Sequence, residues 1–271
     1  MLQPTAADGI EIRADDEGSG PAVLVLPPDM DDGSSWQKVA DLLATDYRVV
    51  RLQRRRFRLD LPAQPPCTLA DEVGDALTLA AAIGGPLLLV GHSGGAVVSL
   101  EALTLAPEAF AGAVLYEPPL VIGPPLGGEA ADRADAALAA GKPGRAFTIF
   151  FRSIVRMPRP TAWLIGHVLG LLPRFRDLAR RQIDAVRAVD ELGVRLDAYS
   201  GIELPIVLIG GERSPAHFGR RLDALAAALP HAERRTLRRQ GHDGHSGDPD
   251  QVARIIREHA ERVLRAAEPT G

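Results

Sequence analysis

The stretch Gly91-His92-Ser93-Gly94-Gly95 constrains this chain more than any other. The apolar run Pro86-Leu87-Leu88-Leu89-Val90 enters it, and Ala96-Val97-Val98-Ser99-Leu100-Glu101-Ala102-Leu103, with the composition of a helix, leaves it. A strand, a tight turn and a helix around G-x-S-x-G form the context in which a serine is held clear of a sheet. Glycines two positions either side let the strand and helix backbones close without Cβ clashes. The helix that starts there aims N–H groups and its positive dipole end at charge developing beside Ser93. The plainer alternative is a glycine-rich turn carrying an incidental serine, and the flanks argue against it.

The remainder of the chain alternates. Ala22–Leu26 is a buried strand broken by Pro27-Pro28, Trp36–Leu43 has helical spacing, and Tyr47–Leu52 is the next strand. Ile10–Arg13 is a weakly signalled first strand. Arg54-Arg55-Arg56 and Arg58 follow in a stretch whose ordinary reading is a solvated loop. Thr68 opens a helix through Ile83, with Asp71 and Glu72 in its first turn. Ala111–Tyr116 is a further buried strand, ending at Glu117-Pro118-Pro119. From there the pattern is wholly helical to about Ser200, over 128–140, 145–155, 162–172 and 175–199. Alternation resumes with strand 204–209, helix 215–229, strand 234–237 and a closing helix 250–265. Such alternation predicts an α/β fold with a mainly parallel sheet flanked by helices. Its core is 1–118 plus 201–271, and 119–200 is an inserted helical cap.

At 271 residues, 46% hydrophobic and 4% aromatic, the chain suits one aliphatic-cored domain with an insertion, or two small domains. A net charge of −4 gives no footprint for nucleic acid or an anionic membrane. Cys67 stands alone, which excludes an internal disulfide and a cysteine metal cluster. No signal-peptide pattern and no bilayer-length apolar run are present, so a cytoplasmic protein without nucleic-acid or membrane partners is the expectation.

With these features in order, the sequence resembles the α/β-hydrolase superfamily over nearly its whole length. The carriers are the strand and polar turn before Trp36, the elbow at Ser93, the helical insertion after Glu117, and Gly241-His242. The resemblance implies the α/β-hydrolase fold, ligand binding at the C-terminal edge of the sheet, and nucleophilic catalysis by Ser93. It implies His242 as base, with His245 its rival in the same loop. The family's aspartate after the strand that follows the cap is absent, because Gly210-Gly211-Glu212-Arg213-Ser214-Pro215 places serine there. Two carboxylates remain, Glu117 at the end of the strand after the elbow's helix, which is favoured, and Glu212. For the oxyanion hole, Gly94 N–H is the first donor. The usual His-Gly is replaced by Pro27-Pro28, leaving Asp29 N–H as the second.

A serine nucleophile argues against branches that attack with aspartate, such as haloalkane dehalogenases and epoxide hydrolases. His242-x-x-His245 lacks a third ligand, so neither a metal nor another cofactor is expected. The leading reading is a serine hydrolase, esterase- or thioesterase-like, acting on a carboxylic ester, thioester or lactone through an acyl-enzyme. Its partner is a small-molecule substrate, a carrier-linked acyl thioester being one candidate. Phe147, Phe151 and Trp163 in the cap are candidates for the acyl group, and Arg55 for an anionic rim. Two alternatives stand: a lyase or cyclase of secondary metabolism using the same pocket, and a non-catalytic ligand-binding receptor.

Overall fold

The computed structural model describes residues 1–265. Its elements in chain order are β1 (Arg13–Glu17), β2 (Ala22–Leu26), α1 (Gln37–Leu43), β3 (Arg48–Gln53), α2 (Leu69–Ile83), β4 (Leu87–His92), α3 (Gly94–Leu105) and β5 (Phe110–Tyr116). Then come α4 (Glu129–Ala139), α5 (Pro143–Ile149), α6 (Arg159–Leu171), α7 (Pro173–Leu192) and α8 (Leu196–Tyr199). The chain closes with β6 (Ile206–Gly211), α9 (Ala216–Ala228), β7 (Ala232–Leu237), α10 (Gly244–Gly247) and α11 (Pro249–Leu264).

The seven strands form one sheet in the order β1-β3-β2-β4-β5-β6-β7, parallel throughout except for β1 on β3. Central strands read as unbroken apolar runs because both faces are covered. In β4, Leu87 and Leu89 pack with α2 and α3 residues such as Leu79 and Val97, while Leu88 and Val90 pack with Val39, Val252 and Ile256 of α1 and α11. Strand periodicity thus splits one run between two cores. Helix α2 begins in a capping box, Thr68 accepting from Asp71 N–H at 3.1 Å while Thr68 N–H donates to the Asp71 carboxylate at 2.8 Å.

Four expectations are corrected. The first strand is Arg13–Glu17, not Ile10–Arg13; it is a polar edge strand, held through Asp16–Arg48 (2.9 Å) and Glu17–Arg51 (3.0 Å) ion pairs that no apolar alternation signals. The single helix expected over 145–155 is α5 followed by a π-helical turn, Phe150–Ile154. The helix expected over 175–199 is broken at Gly193, whose φ of 69° lies in the left-handed region. The arginines after β3 are buried rather than solvated: Arg54 and Arg56 pair with Glu72 (2.8 and 2.7 Å), and Arg55 with Asp75 and Asp8. Glu72 and Asp75 lie three apart on one face of α2, a spacing that presents both to this loop.

Candidate active site

Ser93 sits between β4 and α3 at φ 53° and ψ −123°, a strained conformation for a residue with a Cβ. Its neighbours explain how the turn closes. A Cβ at Gly95 would overlap the Leu26 and Pro27 carbonyls, and one at Gly91 would overlap the Ser99 hydroxyl. Ser93 is half-buried and lines a cavity of about 460 Å³ together with His242, Asp29, Met30, Phe151 and Phe218.

Glu117 directly follows β5 at φ 45°, a second strained position, and is 1% exposed. Its Oε2 lies 2.7 Å from His242 Nδ1, and its Oε1 accepts from Gly211 N–H at 2.7 Å. A carboxylate oxygen accepts, so Nδ1 carries the proton and Nε2 is left free. Phe218 stacks on the His242 ring at 4.5 Å between centroids. Tyr116, preceding Glu117, fixes the backbone on both sides of that ring: its hydroxyl donates to Gly241 C=O and accepts from Gly244 N–H at 3.0 Å. Burial, followed by the neighbouring Glu117, pushes the Tyr116 phenol well above its ordinary value. It stays a neutral donor.

His245, the rival base, turns away from the cavity. Its Nε2 meets Ser35 Oγ at 2.9 Å, Ser35 donates to Asp31, and its ring stacks on Trp36. Burial pushes it down to about 4. His92 lies behind His242, 4.8 Å between centroids, and burial holds it well below the usual histidine value. The rival acid Glu212 is exposed and accepts from Arg239 N–H at 2.6 Å.

Gly94 N–H and Asp29 N–H have no backbone acceptor among the described residues. The Asp29 carboxylate packs against Gly94, where a Cβ would overlap it. Its charge is met by Arg54 Nη1 at 2.8 Å and by Gln182 Nε2 at 3.0 Å.

Of the substrate candidates, only Phe151 faces this cavity. Phe147 is buried beside it, 6.1 Å between ring centroids. Trp163 is 55% exposed on the outer side of α6, against His167. Arg55 is consumed by its carboxylates and lines no part of the cavity. Sequence reasoning missed Tyr116, Gly211, Phe218 and Gln182. Only the Gly210-Gly211 pair ending β6 carries a sequence signal, since a Cβ at Gly211 would overlap the Gln240 and Gly241 carbonyls of the loop that brings His242 in.

Residues 23–255 match the alpha/beta hydrolase family. The chain belongs to that family. An alpha/beta hydrolase from Sphaerobacter thermophilus superposes on it with a TM-score of 0.79 at 26% identity, covering 95% of this chain and 99% of that one. A thermophilic esterase from Thermogutta terrifontis gives 0.73 at 21% identity, over 97% and 98%. In sequence, an epoxide hydrolase from Caballeronia sordidicola is 31% identical over 114 residues, 39% of this alpha/beta hydrolase and only 33% of that protein.

Proposed function

We propose that this alpha/beta hydrolase cleaves a carboxylic ester, thioester or lactone through an acyl-enzyme on Ser93. The observation that carries the reading is the Glu117–His242 pair at 2.7 Å, with His242 lining the same cavity as the serine on its strained turn. With Nδ1–H directed at Glu117, Nε2 of His242 is the free base. Ser93 Oγ attacks the carbonyl carbon while its proton passes to Nε2. The carbonyl oxygen becomes negative against Gly94 N–H and Asp29 N–H, and Arg54 with Gln182 offsets the Asp29 charge beside it. Collapse breaks the bond to the leaving oxygen or sulfur, which takes the proton from His242. Water then attacks the acyl-enzyme, gives its proton to His242, and releases the acid as Ser93 Oγ regains that proton.

Phe150, Phe151, Ile154, Met157 and Phe218 line the cavity and favour an apolar acyl group. The helical segment 119–200 acts as its cap. The local likeness to an epoxide hydrolase leaves this reading unchanged, since a serine occupies the nucleophile position.

A fluorophosphonate probe tests it. Labelling of the protein, lost in Ser93→Ala, together with turnover of a short-chain p-nitrophenyl ester is the expected result. Labelling without hydrolysis across an ester, thioester and lactone panel would favour a lyase or cyclase, and no labelling a receptor.

A further inference from the structure

From Gly141 to Arg176 the chain contains no Asp or Glu, although its net charge is −4. The same segment carries Lys142, Arg145, Arg152, Arg156, Arg159 and Arg176, all exposed, and Arg174, which pairs with Asp32 at 2.8 Å. Five of the ten large apolar side chains most exposed among the described residues fall within it, from Trp163 to Leu172. Leu164 (57% exposed), Val168 and Leu171 (71%) recur at i, i+4 and i+7, one stripe on the outer face of α6. A groove of about 740 Å³ beside the stripe is bounded by Lys142, Arg145, Arg176, Trp163 and His167. The platform is tightly built, because a Cβ at Gly166 would overlap Thr148 and one at Gly170 would overlap the Gly144 backbone.

We propose that this α5–α6 face docks the protein on an anionic lipid bilayer, with the α6 stripe in the headgroup–acyl boundary and Lys142, Arg145 and Arg176 beside it on lipid phosphates. Such a surface supplies negative charge and apolar depth together over the whole face. A second copy of the chain meets the apolar stripe but opposes one set of cations with another, so charge argues against a two-fold contact there. The overall charge of −4 hides this patch because the acidic residues lie elsewhere in the chain. The inference does not depend on the triad assignment. The docking face and the Ser93 cavity share α6, whose Thr161, in the first turn, lines that cavity.

The protein has two tryptophans, and Trp36 is buried, so a change in emission on docking reports Trp163. The full chain is titrated with vesicles of equimolar phosphatidylglycerol and phosphatidylcholine, and with pure phosphatidylcholine. The expected result is a blue shift and co-flotation with anionic vesicles, with affinity at least about tenfold above that for neutral ones and lost in 1 M salt. Leu164→Ser with Leu171→Ser, and separately Lys142→Glu with Arg145→Glu, each weaken binding about tenfold or more. Turnover of a soluble ester is unchanged in both, as none of these residues lines the Ser93 cavity. Equal or absent binding to the two vesicle types overturns the proposal, as does full binding by both variants. Salt-sensitive binding of polyglutamate without vesicle binding overturns it in favour of an acidic protein partner. Dimerisation in sedimentation velocity, abolished by the leucine changes, assigns the face to a second copy instead.

Discussion

Glu117 and His242 are 125 residues apart in the chain, and their side chains meet at 2.7 Å. The contact spans three neighbouring strands: β5 delivers the carboxylate just past its end, and the loop after β7 carries the imidazole back across β6. Gly211, ending β6, holds the other carboxylate oxygen, so the Glu117 side chain is oriented from two directions.

Glu117→Gln keeps the side-chain shape but lets an amide donate toward Nδ1, which favours the wrong tautomer. The expected loss in kcat is about 10⁴-fold, by comparison with the corresponding Asp→Asn change in a serine protease triad. Glu212→Gln, at an exposed residue bound to Arg239 N–H, changes kcat less than about twofold. Steady-state kinetics of both variants on one ester at one pH decide the assignment, and a larger loss for Glu212→Gln reverses it.

Tyr116→Phe removes the hydroxyl that ties Gly241 to Gly244 around His242. The stability loss is expected at about 1–3 kcal/mol, since two backbone groups lose a buried partner. If the hydroxyl also positions the base, kcat falls at unchanged KM, and the rate of fluorophosphonate labelling falls with it. Labelling as fast as in the parent protein would reduce Tyr116 to a structural role.

The elbow and the sheet were legible because they depend on local rules: glycines where backbones approach, and continuous apolar runs where both faces are buried. The meeting of Glu117 with the histidine loop was legible for a topological reason, the carboxylate's place at the end of the strand next to the elbow. The arginines after β3 were not. A basic run reads as solvated unless its partners are known, and Glu72 and Asp75 become partners only when α2 packs against that loop. Trp163 misled for the opposite reason: an aromatic on a helix reads as buried, yet α6 turns it outward. Neither outcome is encoded within a single window of sequence.

Arg54 is 3% exposed and serves Glu72 at 2.8 Å and Asp29 at 2.8 Å. Arg54→Met leaves Asp29 beside Gly94 without its cation. Removing one partner from a buried ionic group costs about 3–5 kcal/mol. Urea denaturation of the purified variant measures it, with a loss of that size expected in the unfolding free energy at an unchanged m-value. At a temperature where the variant remains folded, kcat also falls, because the uncompensated carboxylate repels the developing oxyanion. A variant as stable and as active as the parent refutes both roles.

His245 and His259 are held neutral by burial, each down to about 4, and His92 lies well below the usual histidine value for the same reason. In the unfolded chain all three titrate near 6.5. Between that value and about 4 the unfolded state therefore binds more protons than the native one, and unfolding free energy rises with pH. The stabilisation is complete above about 6.5 and is lost as pH falls toward 4, at up to about 1.4 kcal/mol per pH unit for each histidine. Urea midpoints measured at several pH values across this window should decline steadily on acidification. His259→Gln, which keeps a donor for the Pro205 carbonyl now 3.1 Å from Nε2, should flatten the decline by the share of one histidine. A stability that stays level from pH 6.5 to 4.5 would show that these rings are accessible to protons in the native state.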